Sequence, residues 1–461
     1  MIISAYMVPH PPAAIPEIGG DEVKKMQATE NSYGILAQKI LKDRPDTIVI
    51  ISPHATMYSD YFNVSSGERA YGDFGKYGHP EISFDQKYDS AFTEELSKRC
   101  ARAGFPAGME YDRERMLDQG TMVPLYFIEQ AYTDFRLVRI GLSGLSLRMH
   151  YELGEYIRDT AESLNCRVAI VASGDLSHCQ KAGGPYGLHK EGPVYDEKIM
   201  KTMSNASFQE LLEYDPEFLN RAEECGHRSF CIMAGTMDCL QVKSEVLSHE
   251  APFGVGYGFV CYIPGAADNS RCIMKNYLKD SARAIEKKRN AADVYASFAI
   301  QAVQCAVCTH HPYRVPENAP AVLTEESAGV FVTIHEDSQL RGCIGTILPA
   351  KKNIAQEIAA NAYSAALRDP RFQPIEEMAL PYLDISVDIL SKPEKIKSAE
   401  ELDLKRYGVI CSTADGRRGL LLPDLDNVES ISEQIRIACR KGNIDPEESF
   451  TMERFEAIRH V

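Results

Sequence analysis

Through the first half of the chain, short apolar, β-prone runs alternate with longer stretches whose apolar residues return at spacings near three and four. The runs at 2–8, 47–52, 135–142, 168–173 and 253–263 predict strands, and the stretches 22–42, 88–103, 148–164, 191–203 and 207–213 predict helices. This alternation predicts an α/β domain around a central, largely parallel or mixed sheet. A turn-rich segment, Pro264-Gly265-Ala266-Ala267-Asp268-Asn269-Ser270, marks the boundary, giving expected domains at 1–265 and 266–461. Beyond it the pattern changes to helical material at 289–309, a strand at 329–334, a turn at Arg341-Gly342-Cys343-Ile344-Gly345 and a helix at 353–367. Strands at 383–390 and around 408–411 and 419–422 complete a smaller α+β domain. No internal repeat is present.

The length of 461 residues agrees with more than one hydrophobic core. Hydrophobic residues make up 44% and charged residues 25%, with no run long and apolar enough to span a membrane, so a soluble globular protein is expected. A net charge of -16 argues against nucleic acid as a partner, because releasing counterions from phosphates needs clustered lysine and arginine. The opening Met1-Ile2-Ile3-Ser4 carries no basic segment ahead of an apolar one, which points to the cytoplasm rather than secretion. Thirteen dispersed cysteines fit a reducing compartment, where no structural disulfide is expected. A homo-oligomer without membrane association is the expected assembly.

Three of the predicted strands are followed closely by histidine: His10, His54 and, after Ser173-Gly174-Asp175-Leu176-Ser177, His178. Ligands in open α/β sheets gather at the carboxyl ends of strands, so these rings are expected to converge. Neutral imidazole is a common metal ligand, and His10 and His54, each preceded by proline, are the proposed pair. The third ligand is Cys225 or Glu224, from Glu223-Glu224-Cys225-Gly226-His227, ahead of an apolar helix expected at 230–240. A helix N-terminus favours the thiolate form of Cys225, whereas the glutamates could simply complement the helix dipole. His178 suits a general acid or base, with Asp175 or the serines of this motif orienting it. A serine hydrolase reading fails for want of a nucleophile elbow, and Gly254-Val255-Gly256-Tyr257-Gly258 opens no helix that would cradle phosphate.

Taken in order, Pro9-His10-Pro11-Pro12, Ser52-Pro53-His54-Ala55, Leu117-Asp118-Gln119-Gly120-Thr121-Met122-Val123-Pro124-Leu125, Ser173 to His178, and Gly184-Pro185-Tyr186-Gly187-Leu188-His189 with Tyr195-Asp196 resemble the class III extradiol ring-cleavage dioxygenases, called LigB-like, and their Memo relatives. The resemblance implies His10 and His54 as ligands, Cys225 or Glu224 completing the site, His178 as acid/base, and Gln119 and His189 at the substrate. It also implies Fe(II) first, with zinc or copper as alternatives, and a small phenolic or catecholic substrate. Two positions depart from ring-cleaving relatives. Gln119 stands where many carry histidine, and Cys225-Gly226 resembles the Cys-Gly of Memo proteins.

In the second half, glycines flanking Cys343-Ile344 permit a tight turn or close ligand approach, and Arg341 could bind an anion; a structural turn with a buried cysteine is the plainer reading. With Asn361-Ala362, Arg368-Asp369-Pro370-Arg371-Phe372, Asp384-Ile385-Ser386-Val387 and Gly416-Arg417-Arg418-Gly419-Leu420-Leu421-Leu422-Pro423, this segment resembles the AMMECR-type domain over about residues 275–461. That resemblance brings no established reaction. It implies a substrate pocket or docking surface, with Arg341 and Cys343 touching the substrate, and a radical S-adenosylmethionine protein as partner. Cys305-Ala306-Val307-Cys308-Thr309-His310-His311 could bind zinc or act as a redox pair, or place both cysteines on the buried face of a helix.

Overall fold

Each of the five predicted strands of the first half joins a single six-stranded sheet, in the order Arg136–Gly141, Thr47–Ser52, Val168–Ser173, Ile2–Val8, Tyr257–Ala267, Leu240–Glu250. This is a computed structural model, and it describes residues 1–112, 116–425, 428–446 and 448–461. The first four strands run parallel and the last two join antiparallel, so the sheet is mixed. Thr47–Ser52 and Val168–Ser173 are buried at every position, the signature of inner parallel strands covered on both faces.

Side chains alternate between those faces. Tyr6, Val8, Ile48, Ile50, Ala169 and Val171 share one core with Tyr33, Leu36 and Phe127 of the helices Gln27–Asp43 and Gln119–Glu129. Leu147–Ser163 and His227–Gly235 pack on each other and reach the sheet's other face. The layers therefore bring the carboxyl ends of the four parallel strands to one edge.

Contacts divide the chain into two units, Met1–Tyr277 and Leu278–Val461. In the first, the helix expected at 230–240 stops at Gly235, Cys239 adopts a left-handed conformation (φ 59°), and the edge strand begins at Leu240. The expectation of no structural disulfide is also corrected, because Cys239 and Cys272 are bonded. Asp238 accepts a hydrogen bond from the Ile273 N–H at 2.7 Å, and Cys239 N–H donates to Arg271 O at 3.0 Å, so two segments far apart in sequence are held side by side. The other eleven cysteines are free thiols.

The second unit is built on a seven-stranded antiparallel sheet with the path Gln339–Thr346, Gly329–Glu336, Leu383–Leu390, Thr451–His460, Tyr407–Ser412, Arg418–Leu421, and Glu394–Ile396 paired beside it. Val330, Val332 and Ile334 alternate into a core with Ile358 and Ala362 of the helix Ile354–Leu367 and with Phe298 and Ala302 of Val294–Thr309. The turn expected at 341–345 is instead the middle of a strand. Its Gly342 answers to packing, since a Cβ there would lie 2.2 Å from Ala365 O of the helix. Cys308 is exposed, which corrects its placement on a buried helix face. No described helix is long and apolar enough to cross a membrane.

Candidate metal centre

Strand ends supply the site. His10 lies just past Ile2–Val8, and the register that sets Val8 opposite Ser173 brings its Nδ1 within 3.0 Å of Ser173 Oγ. That contact turns Nε2 of His10 inward. His54 follows Thr47–Ser52; its N–H donates to Ser52 Oγ at 3.2 Å, and the same hydroxyl donates to Asp118 Oδ1 at 2.5 Å. The two Nε2 atoms stand 3.0 Å apart, with the rings inclined at 78°.

Cys225 reaches this point because two glycines touch. A Cβ on Gly174 would fall 2.1 Å from Gly226 Cα, so only the bare backbones allow the strand end and the approach to His227–Gly235 to run in contact. Asp175 N–H donates to Cys225 Sγ at 3.2 Å, Gly226 N–H donates to Asp175 O at 3.1 Å, and Sγ lies 3.7 Å from His10 Nε2. The Asp175 carboxylate accepts the His10 N–H at 2.8 Å and sets its other oxygen 3.9 Å from His10 Nε2. Donor atoms of His10, Asp175 and Cys225 all fall within 4.8 Å of one another.

Burial dominates the electrostatics. It depresses His10 to about 4 and lowers His54, where His10 adds to the effect, so both rings are neutral at pH 7 with lone pairs to give. It pushes the Asp175 carboxyl up to about 6 and the Cys225 thiol well above its usual range. His10, Asp175 and Cys225, with the His54 ring beside His10, form a donor set suited to a divalent transition metal, whose charge would draw off the thiol proton.

The other sequence candidates are arranged around this group or apart from it. Glu224, pushed up to about 7 by burial, spends its carboxylate on the His227 N–H at 2.6 Å, at the start of a helix, and does not enter the donor group. Gln119 opens the helix Gln119–Glu129; Tyr77 OH donates to its Oε1 while its Nε2 lies 3.5 Å from His54 Nε2. His178, lowered by burial, has its ring 5.1 Å from that of Tyr186. His189 is exposed and contacts Arg221 O at 3.0 Å.

Arg341 and Cys343 belong to the second unit. Arg341 Nε lies 3.4 Å from the Glu336 carboxylate. Cys343 N–H donates to Asp369 at 2.9 Å, Cys343 O accepts from Arg371 at 3.0 Å, and Sγ is 3.3 Å from Thr333 Oγ1. Hydrogen bonding from Arg371 holds the Asp369 carboxyl down at about 2. A cavity of about 530 Å³ in this unit is lined by Lys279, Arg283, Arg289, Ile300, Leu380 and Ile385 among others, and neither Arg341 nor Cys343 lines it.

Sequence reasoning overlooked the residues that aim the ligands: Ser173, Ser52, Asp118 and Tyr77. Ser52 and Asp118 stood inside motifs already singled out, as did Ser173. The role of Ser173 becomes visible only through the pairing register of two strands.

The family described as the catalytic LigB subunit of aromatic ring-opening dioxygenase matches residues 4–260, and the AMMECR1 family matches residues 296–460. Protein CA_C1420 of Clostridium acetobutylicum is 35% identical over 99% of this chain and 98% of its own length. A protein of Thermotoga maritima is 43% identical over 35% of this chain and 97% of its own. Among solved structures, protein JW3007 of Escherichia coli K12 aligns with 56% of this chain and 99% of its own at 14% identity and a TM-score of 0.37. With the family match running the length of the first sheet and through His10, His54 and Cys225, the chain belongs to the LigB family of aromatic ring-opening dioxygenase subunits, joined to an AMMECR1 domain.

Proposed function

We propose that the first unit is a metal-dependent oxidoreductase centre that holds ferrous iron between His10, His54 and Cys225 and acts on a small phenolic or catecholic molecule. The observation that carries this reading is the meeting of His10 Nε2 with His54 Nε2 at 3.0 Å and with Cys225 Sγ at 3.7 Å. Few protein ligands leave positions open for substrate, which favours iron over zinc or copper. The ion, when bound, would supply Lewis acidity and a redox couple to a phenolic oxygen.

The remaining chemistry falls to the chain. Ser173 holds the His10 ring in one orientation. His178, neutral near pH 7, would take the phenolic proton, with the nearby Asp175 charge favouring the protonated ring. Gln119, anchored by Tyr77, offers its amide to a substrate oxygen. The cytoplasm is the compartment we propose, in keeping with eleven free thiols. The AMMECR1 domain would supply a docking surface or second pocket.

The test is metal analysis of anaerobically purified protein, followed by oxygen uptake over a catechol panel. About one iron per chain, lost in the His10→Ala/His54→Ala double variant, is expected, with uptake that depends on it. Full metal retention in that variant would overturn the assignment. A second reading, in which the unit is a metal-holding partner of a radical S-adenosylmethionine protein, is favoured by Gln119, an uncharged amide beside His54. Iron without turnover, together with co-purification of such a protein, would select it.

A further inference from the structure

Away from the first centre, another set of metal-seeking side chains closes on itself. Cys179, His189 and Glu223 each offer a donor atom, and these atoms lie within 4.8 Å of one another. Residues 180–188 leave and return as a narrow excursion: Gln180 and Leu188 form an antiparallel bridge, and His189 N–H donates to Cys179 O at 3.2 Å. The base of that excursion is tied to the segment ahead of Cys225, where His178 N–H donates to Glu223 O at 3.3 Å.

We propose that Cys179, His189 and Glu223 form a second metal site, for zinc or a similar borderline divalent cation, independent of the ion at His10. The donor set is one thiol, one imidazole and one carboxylate, the mixed S, N and O set that zinc accepts with a fourth position left to water. Tetrahedral bonds of about 2.0 to 2.3 Å place donors roughly 3.3 to 3.8 Å apart, and His189 Nδ1 to Glu223 Oε1 is 3.8 Å. His189 Nδ1 lies 3.0 Å from Arg221 O, a contact this nitrogen would exchange for the ion on binding. Burial also fits. Cys179 is fully covered while Glu223 is half-buried and His189 exposed, so the ion would sit with its protein ligands beneath it and solvent above.

Position gives the site its purpose. Cys179 directly follows His178, and Glu223 lies two residues before Cys225, so a bound ion would pin together the two segments that carry these residues. It would act as a structural clip for the first centre without touching it.

Cobalt substitution in the full chain reads this out through thiolate-to-cobalt absorption. The background is His10→Ala/His54→Ala/Cys225→Ser, which empties the first centre. This background is expected to bind one equivalent of Co²⁺ or Zn²⁺ with thiolate absorption, and to lose the absorption on adding Cys179→Ser. His189→Ala and Glu223→Gln change exposed and half-buried side chains and are expected to weaken binding at least tenfold while circular dichroism is unchanged. In the otherwise unaltered chain, Cys179→Ser or His189→Ala should lower the total from two equivalents to one. Absorption that survives Cys179→Ser, or a background variant that folds yet binds no metal, would overturn the proposal.

Discussion

Sγ of Cys225 lies 3.7 Å from Nε2 of His10, although 215 positions of chain separate them. Their encounter depends on the contact of Gly174 with Gly226, and it makes Cys225, not its neighbour Glu224, the residue turned toward the His10 imidazole. Replacing Cys225 by serine should weaken metal binding about tenfold or more, because a hydroxyl is a poorer donor than a thiolate. Glu224→Gln should leave affinity within about twofold, since its carboxyl serves a helix terminus instead. Isothermal titration of metal-free protein measures both, and the reverse ranking would move the third ligand to Glu224.

Ser173→Ala removes the hydroxyl that lies 3.0 Å from His10 Nδ1. Losing such an outer contact commonly costs about 10- to 100-fold in metal affinity. Thermal unfolding of the metal-free variant should change much less, because a single hydrogen bond contributes about 1 kcal/mol. An affinity equal to wild type would show that the ring is held by packing alone.

Gly174→Ala should separate the two glycine-lined segments. A methyl group set 2.1 Å from Gly226 Cα cannot be accommodated without backbone movement, and such overpacking costs about 1 to 3 kcal/mol. Cys225 would move with its segment. The expected result is lower stability in urea together with weaker metal binding, whereas a stability loss with unchanged affinity would uncouple Cys225 from this contact.

One buried and one half-buried group of the helix Leu147–Ser163 should give the first unit opposing pH dependences. Burial depresses His150 from 6.5 to about 3, so between those values the unfolded chain takes a proton that the fold refuses, and stability falls as pH falls. Burial raises Glu155 from 4.5 to about 8, so across that window the fold holds a proton that the unfolded chain has lost, and stability falls as pH rises. Each slope is at most about 1.4 kcal/mol per pH unit. Glu155→Gln should therefore raise the urea midpoint at pH 8 relative to wild type and change it little at pH 4; equal effects at both would remove Glu155 as the source.

Much of this arrangement is legible in the chain because inner strands such as Thr47–Ser52 and Val168–Ser173 are apolar without interruption, and the ligands follow them directly. Other parts are hidden for physical reasons. Leu240–Glu250 is an edge strand with much of its surface in water, so its residues carry no strong apolar signal and no strand is predicted there. At Gly342 the missing side chain serves a helix packed on the sheet rather than a turn, and both uses look alike in sequence. Cys239 and Cys272 meet beside Asp238, whose Oδ1 accepts from Tyr151, Ile273 and Met274, all remote from it along the chain.

The stretch from Ser173 to Cys179 has a further implication for how this chain can vary. Ser173 aims His10, Gly174 admits Gly226, Asp175 binds both His10 and Cys225, and Ser177 donates to Ala222 O at 2.7 Å. Inserting or deleting a single residue here would shift every one of these partners at once. The excursion beyond it is closed at its base by Gln180 and Leu188, so its tip can lengthen or shorten without disturbing that spacing. Diversification among homologues should thus concentrate in the tip, leaving the seven positions before it locked in length.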